Sequence, residues 1–566
     1  MSIESNLVAR VQSWIEQDPD PVTKAQLSDL LNLAQTDQSA LSELQDAFSA
    51  PLEFGTAGLR GALGAGPNRM NRVTVLQAAS GLAQYLIQQG FIGQKVVIGF
   101  DARYNSDVFA KDTALVMSGA GLEPIIFPHV VPTPVLAFAI RNQNACAGVM
   151  VTASHNPPQD NGYKVYLSDG RQIVSPVDEQ ISTLIKSVSD VREISQGVNG
   201  SNVSEGVVNS YVSLTSQLIT SGPTSESQRK SVTSVYTAMH GVGWRTLQTV
   251  FNDSGFTEPI AALEQRDPDP AFPTVAFPNP EEKGALDIAI ALAKAHSVDV
   301  LLANDPDADR FAAAAPNADG TWIILRGDQI GSLIGWWMIE RAKLNGRNLT
   351  GTFANSIVSS MMLESIAKAA GLKYESTLTG FKWVSRVHNL TFGYEEALGY
   401  CVDPHNVSDK DGISAAAVFM EMIAHLKTQN ISIWQVLDEL SLEHGLHATD
   451  QISVRVTSSE QVSITMAGIR NNPPTELGGL QVSNVEDLAA GLDGLPITDA
   501  VIIHLAGQGE IEKARVIIRP SGTEPKIKCY LEVVVRSEDL GIAKQTADNE
   551  LKRLANDAGP LLSGGN

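Results

Sequence analysis

Along residues 5–48, apolar side chains recur at helical spacing: Leu7, Val8, Val11, Trp14 and Ile15, then Leu27, Leu30, Leu31 and Leu33. Recurrence at three and four positions places them on one face of a helix. Asp20-Pro21 and the stretch 36–39 interrupt the pattern, which predicts two or three short helices. After them the period changes. The apolar runs 95–100 (KVVIGF), 123–127 and 145–152 predict strands, and 106–119 predicts a helix between them. That alternation is the rhythm of βαβ units around a parallel or mixed sheet.

The same rhythm returns twice. Residues 197–206, rich in Gly, Ser and Asn, predict a surface loop before a helix at 207–220. A second unit then reads as strand 232–237, helix 283–296 and strand 298–303. A third reads as helix 328–344, strand 350–354, helix 358–370 and helix 412–427. From about residue 449 the pattern becomes alternating strands, at 451–456, 500–504, 514–518 and 527–534, followed by a long helix from Asp539. This last part reads as α+β, with a disordered tail from Leu561. The boundaries drawn are 1–50 as a helical extension, then 51–206, 207–325, 326–447 and 448–566.

Bulk numbers narrow the class. A chain of 566 residues exceeds one core and suggests about three to five domains. With 43% hydrophobic and 18% charged residues it is ordinary for a soluble protein, and no run approaches the roughly 18 apolar residues of a membrane span. The start, Met1-Ser2-Ile3-Glu4-Ser5, lacks the basic head and apolar core of a signal peptide. The three cysteines, Cys146, Cys401 and Cys529, are far apart and offer no zinc spacing, so the expected location is the reducing cytoplasm. A net charge of −22 argues against nucleic-acid and membrane partners. It leaves room for an anionic small molecule wherever basic residues converge.

Candidate chemistry sits in the loops. The apolar run Gly148-Val149-Met150-Val151 stops at Thr152-Ala153-Ser154-His155-Asn156-Pro157. In an open α/β sheet the carboxyl end of a strand is where ligands bind, so Ser154 is placed to be a nucleophile. An Asn-Pro pair is also an ordinary turn signal. After the strand 298–303 comes Asn304-Asp305-Pro306-Asp307-Ala308-Asp309-Arg310. Three carboxylates at alternating positions converge when the backbone curls, and all-oxygen ligands without His or Cys favour Mg²⁺. The bland alternative is an acidic turn. Its weakness is that the loop caps an apolar strand and that three carboxylates would repel one another without a cation.

Two further loops are polar in different ways. Gly393-Tyr394-Glu395-Glu396-Ala397 could accept hydrogen bonds from sugar hydroxyls, although a solvated acidic turn fits it equally well. Arg519-Pro520-Ser521-Gly522-Thr523-Glu524-Pro525-Lys526 combines a guanidinium, two hydroxyls and a glycine, the makings of a phosphate grip. Gly-rich 54–61 carries Arg60, and Gly380-Phe381-Lys382-Trp383 carries a lysine. Neither matches a nucleotide fingerprint. Ser154 lacks the G-x-S-x-G elbow of an esterase. A hydroxyl beside a cation site suits phosphoryl transfer instead.

These four loops, in this order, resemble the signature loops of the α-D-phosphohexomutases, the family of phosphoglucomutases and phosphomannomutases. The resemblance spans about residues 50–550. It implies an α/β fold of four domains around a central cleft, three α/β domains with mixed sheets and a C-terminal α+β domain. It implies that Ser154 carries a phosphoryl group, with Arg60 and His155 beside it and Lys164 as a general acid or base. Asp305, Asp307 and Asp309, with a serine-phosphate oxygen, would hold Mg²⁺, supported by Arg310. Glu395, Glu396 and Lys382 would read the sugar. Arg519, Ser521, Gly522, Thr523 and Lys526 would hold the non-reacting phosphate.

The implied activity is a mutase, an intramolecular phosphotransferase that interconverts sugar 1- and 6-phosphates through a bound bisphosphate. Glucose phosphates come first and mannose phosphates second, with glucose 1,6-bisphosphate or a related bisphosphate as primer. The implied partners are small phosphosugars, and the implied state is a monomer or homodimer. Pro306 stands where many members have Gly. Ala397 stands where glucose- and mannose-active members usually have Ser. Together with Gly399-Tyr400-Cys401-Val402-Asp403-Pro404-His405 and Asp409-Lys410-Asp411-Gly412, Ala397 resembles the branch of phosphopentomutase-like members and glucose-1,6-bisphosphate synthase. A phosphopentomutase or a bisphosphate synthase is therefore the rival activity. An inactive sugar-phosphate sensor is the remote one, and the intact Ser154 and three aspartates count against it.

Overall fold

The computed structural model describes residues 3–456, 458–491, 495–520 and 526–563. The chain forms two compact units, one of residues 1–325 with 398–424 and one of residues 326–397 with 425–566.

Unit 1 begins with three helices, Ser5–Gln17, Pro21–Leu33 and Gln38–Ala47. Asp20 and Asp37 cap the second and third through their carboxylates. Their apolar stripes join the first large core: Leu7, Val11, Trp14 and Leu27 cluster with Val96, Ile98 and Val149. The extension is thus part of the first α/β layer's core.

That layer is a mixed sheet of β1 (Leu59–Ala62), β2 (Lys95–Phe100), β3 (Glu123–Ile126), β4 (Ala147–Val151), β5 (Asp160–Leu167) and β6 (Ser201–Asn202), in the order β1-β5-β4-β2-β3-β6. Strand β2 runs parallel to β3 and β4, whereas β5 is antiparallel to β4 and β1. Every residue of β4 is buried, as expected for a parallel strand covered on both faces. Phe100 pairs with Val151, so the carboxyl ends of β2 and β4 finish side by side.

The second layer of unit 1 contains β7 (Ser234–Thr237), β8 (Ile260–Ala261), β9 (Val300–Asn304), β10 (Phe311–Pro316) and β11 (Trp322–Ile324), in the order β11-β10-β9-β7-β8. β9 is parallel to β7 and antiparallel to β10. Asn304 pairs with Phe311, which makes 305–310 a closed hairpin loop.

In unit 2, strand Thr352–Ser356 runs parallel to Lys373–Thr377 and Leu390–Glu395. An antiparallel sheet follows, ordered Leu446–Arg455, Lys526–Val535, Ile511–Pro520, Val501–Gln508, Leu480–Asp487, Glu476–Leu477. Alternation along these strands serves two cores. Ile503, Val516 and Leu531 face the terminal helix Leu540–Leu562, and Ile502, Ile517 and Tyr530 face Ile357, Val358 and Leu378.

The structure thus has the expected α/β layers with mixed sheets and a C-terminal α+β part. Two expectations need correction. The terminal helix reaches Leu562, because Leu554, Ala558 and Leu562 are fully buried, so order extends past Leu561. Residues 197–206 also contain β6, which pairs with β3. No helix among the described residues is long and apolar enough to cross a membrane.

Candidate active site

Ser154 lies three residues past β4, in the connection to antiparallel β5. It is buried, and its φ of +52° is a left-handed conformation that costs a non-glycine residue about 1–2 kcal/mol. Two contacts hold it there. Its N–H donates to Thr152 Oγ1 at 2.8 Å, and its carbonyl accepts from Arg103 Nη2 at 2.7 Å. The hydroxyl is thereby turned toward the second layer, where Oγ donates to Asp305 Oδ2 at 2.8 Å. His155 Nδ1 faces the same Oγ at 3.2 Å. Arg60, on β1, donates to Asn156 Oδ1 at 3.0 Å and so borders the same loop. β1 reaches this place because Gly58 comes so close to β5 that a Cβ would lie 1.8 Å from the Tyr163 carbonyl oxygen.

The hairpin 305–310 presents its three aspartates inward, with ligand oxygens all within 4.8 Å of one another. All three are buried. Ala308 takes a φ of +56° to make the curl. Asn304 braces the loop by donating to the Arg310 carbonyl at 2.6 Å, while accepting from the Tyr236 hydroxyl at 2.8 Å. Thr133 donates its hydroxyl to Asp307 Oδ2 at 2.7 Å, and Arg310 N–H donates to Asp305 Oδ1 at 3.0 Å. Lys164, on β5, places Nζ 2.7 Å from Asp307 Oδ2 and 2.9 Å from Asp309 Oδ2. Lys410 adds a second ammonium 3.3 Å from Asp309 Oδ2.

Three buried acids perturb one another. Burial, followed by the charges of Asp307 and Asp309, pushes the Asp305 carboxyl well above the ordinary carboxylate range. Burial would raise Asp307 and Asp309 too, but Lys164 overrides it and holds both below their usual values. Lys164 is held above its ordinary value by those same two partners, against the burial that opposes it. Burial, Arg310 and Arg60 drive the His155 imidazole well below its ordinary value, which keeps it neutral at neutral pH. Asp307 Oδ1 and Asp309 Oδ1 are buried with no hydrogen-bond partner. Unused carboxylate oxygens, facing a third acid whose charge is strongly disfavoured, fit a hard divalent cation bound through oxygen.

In unit 2, Glu395 ends a strand and accepts from Gly380 N–H at 2.6 Å, next to the short helix that carries Lys382. Glu396 Oε2 accepts from Ser356 Oγ at 3.1 Å and Ser359 Oγ at 3.0 Å. Arg519 lies on Ile511–Pro520, and Lys526 opens the next strand. Burial, then Glu396, raises the Tyr530 hydroxyl, with Arg519 opposing and Glu395 adding, so these charges share one neighbourhood. Ser521, Gly522 and Thr523 lie outside the described residues.

The chain matches the description "Phosphoglucomutase/phosphomannomutase, alpha/beta/alpha domain I" over residues 51–192, domain II over 209–320, domain III over 326–441 and the C-terminal domain over 507–549. It belongs to the α-D-phosphohexomutase family. As a phosphohexomutase-type protein it is an enzyme, an intramolecular phosphotransferase acting on phosphosugars.

Relatives of this phosphohexomutase bear different substrate names. It is 45% identical over 469 residues to a Haemophilus influenzae protein named "Probable phosphomannomutase", covering 82% of this chain and 93% of that one. It is 35% identical over 569 residues to human phosphopentomutase, covering 94% and 92%. A solved phosphoglucomutase/phosphomannomutase family protein from Burkholderia thailandensis shares the fold at a TM-score of 0.67, with 19% identity over 91% of this chain and 98% of that one.

Within this phosphohexomutase, unit 1 brings together Arg60, Ser154, His155, Lys164, Asp305, Asp307, Asp309 and Arg310. Sequence reading missed Arg103, Thr133 and Lys410. Arg103 had a signal, since it sits just past the carboxyl end of β2. Lys410 lies in the Asp409-Lys410-Asp411 run, read only for its resemblance. Thr133 opens a helix and carried none.

Proposed function

We propose that this phosphohexomutase interconverts sugar 1-phosphates and 6-phosphates through phospho-Ser154, with glucose phosphates preferred and mannose phosphates second. The observation that carries the reading is the buried constellation in unit 1. The hydroxyl of a serine with strained backbone lies 2.8 Å from one of three convergent aspartates, and Lys164 bridges the other two. Asp305, Asp307 and Asp309, with an oxygen of the serine phosphate, would hold Mg²⁺, which when bound would supply charge neutralisation at the phosphoryl oxygens.

The chain's own residues do the rest. The P–O bond to Ser154 Oγ breaks as a sugar hydroxyl oxygen bonds to phosphorus, leaving a sugar bisphosphate. After the bisphosphate turns, its other phosphoryl group passes back to Oγ. In the first half the Lys164 ammonium gives a proton to the departing Ser154 Oγ and is recharged by the proton of the attacking sugar hydroxyl; in the second half the same exchange runs in reverse, from Lys164 to the departing sugar oxygen and from the Ser154 hydroxyl to Lys164. His155, neutral, lies beside Oγ without adding charge. Glu396 Oε2 is held by Ser356 and Ser359, which leaves Oε1 for a sugar hydroxyl. Arg519 and Lys526 grip the non-reacting phosphate, and Lys382 lies beside the sugar. Glucose 1,6-bisphosphate starts the cycle by phosphorylating Ser154.

Ala397 favours a second reading, a phosphopentomutase, because it removes one hydroxyl from the sugar loop; the human relative bears that name. The test is a coupled assay of glucose, mannose, glucosamine and ribose 1-phosphates with Mg²⁺ and a bisphosphate primer. Hexose phosphates should show the higher kcat/KM; a pentose advantage of about tenfold or more reverses the assignment.

A further inference from the structure

The segment from Ser154 to Asp160 turns four backbone carbonyls toward one point. Four carbonyl oxygens facing one another repel unless a donor sits between them. Arg103 is that donor. Nη2 donates to the carbonyls of Ser154 at 2.7 Å and Asn156 at 2.6 Å, and Nη1 donates to those of Pro157 at 2.7 Å and Asp160 at 3.0 Å. Its side chain is 1% exposed.

The guanidinium is itself held from two more sides. Asp101 Oδ2 lies 3.4 Å from Nε, and Asp101 Oδ1 accepts from Arg103 N–H at 3.0 Å and from Ser106 Oγ at 2.7 Å. Asp101 N–H in turn donates to the Val151 carbonyl at 3.1 Å, which ties this anchor to the last residue of β4. Over the guanidinium face lies the ring of Phe272, its centroid 4.9 Å away. Phe272 is buried and takes a φ of +45° to reach that place from the second layer.

We propose that Arg103, seated on Phe272, is the positioning residue of the phosphoryl-carrying serine: its planar fork fixes the four carbonyls that hold Ser154 left-handed with Oγ aimed at Asp305. Lysine cannot do this. A single ammonium has three donors in a tetrahedral array, whereas the guanidinium presents its donors in one plane and stacks on a ring. Arg103 touches neither substrate nor the reacting atoms, so it acts through the loop. The inference rests on the reading of Ser154 as phosphoryl carrier.

The test uses full-length wild type, Arg103→Lys, Arg103→Ala, Phe272→Leu and Ser154→Ala with Mg²⁺. Intact mass after incubation with glucose 1,6-bisphosphate reads phosphorylation at Ser154, and steady-state kinetics separate kcat from KM. Arg103→Ala should lose kcat by about 100-fold, the scale of a small misplacement at a reacting group, with KM within about threefold. Arg103→Lys should fail to restore it, and Phe272→Leu should lose kcat alone, more mildly. Added guanidinium chloride should rescue Arg103→Ala and leave wild type and Ser154→Ala unimproved.

A wild type that takes up no phosphoryl group on Ser154 sinks the carrier reading, and this inference with it. A wild type that is phosphorylated normally while Arg103→Lys keeps its kcat overturns the positioning role alone. If Arg103→Ala does not fold, Arg103→Lys and Phe272→Leu decide: a loss confined to kcat supports the role, and an unchanged kcat or a loss confined to KM refutes it.

Discussion

Replacing Lys164 with methionine keeps most of the stem and removes the ammonium from between two buried carboxylates. Nζ is 2.7 Å from Asp307 and 2.9 Å from Asp309. At an effective dielectric of about 20, each contact contributes about 6 kcal/mol of attraction before solvation is counted. Desolvating the ammonium offsets much of this, and losing one member of a buried pair nets about 3–5 kcal/mol of destabilisation. Lys410, 3.3 Å from Asp309, remains to compensate, so the low end is expected, about 3 kcal/mol. At about 2 °C per kcal/mol, the low end for large units, Tm should fall by about 6 °C in EDTA.

Mg²⁺ should then raise the Tm of Lys164→Met more than that of wild type, because the variant's aspartates have lost their resident counter-charge. A cation at about 100 times its Kd stabilises by about 2.7 kcal/mol, enough to recover most of the loss. The assay is differential scanning calorimetry of both proteins in EDTA and in saturating MgCl₂. Equal Tm values in EDTA, or equal Mg²⁺ shifts in the two proteins, would refute the argument that Lys164 and the cation neutralise the same carboxylates.

Ser154→Ala should reduce turnover to background while titration calorimetry still detects glucose 1-phosphate binding; full activity in this variant would end the covalent scheme. Ala397→Ser should raise kcat/KM for glucose over ribose phosphates by about 2–10-fold, the worth of one hydrogen bond, and no change in that ratio would remove Ala397 as a determinant. Glu532 should confer acid-sensitive stability on unit 2. Burial alone would raise its pKa, but Arg515 and His447 hold it at about 2, against 4.5 unperturbed. A depressed carboxylate stabilises the fold above the unfolded pKa and loses that contribution as pH falls through the folded one. At neutral pH it is worth about 3 kcal/mol, so denaturant unfolding of wild type and Glu532→Gln should differ most above pH 5 and converge toward pH 2. A difference independent of pH would contradict the assignment.

Elements with one clear period were legible from sequence, because local spacing decides them. The strand 95–100 and the helix 106–119 appear with those bounds, as Lys95–Phe100 and Ser106–Gly119. Elements whose opening residues imitate turns were missed. Asp160–Leu167 starts Asp-Asn-Gly, and Thr133–Asn142 opens Thr-Pro after another proline, a legitimate first helical turn. The convergence of Asp305, Asp307 and Asp309 was legible because they alternate within five residues. Arg103 was not, since its acceptors lie more than 50 positions away. The network of Arg515, Glu532, Ser360 and His447 was hidden for the same reason: Ser360 Oγ reaches Glu532 at 2.8 Å across 172 positions. No local pattern encodes that pairing.

Four of the residues that break local rules gather at the ends of buried strands. Ser154, Met239, His240 and Ala308 are non-glycine residues at positive φ, and each follows within four residues the carboxyl end of β4, β7 or β9. Each of these strands is buried throughout its length, so the rigid part of unit 1 ends where the strain begins. Side chains and backbone close by hold the strained residues: Thr152 and Arg103 at Ser154, the Thr237 hydroxyl at Met239 N, the Gln265 carbonyl at His240 N. Strain persists only where surroundings over-determine it, and such sites are commonly functional. Glu395 and Glu396 lie in the other unit and take no positive φ, whereas Leu398, two residues on, takes +65°. The candidate serine and metal loops are thus held in a strained, fully packed frame in unit 1.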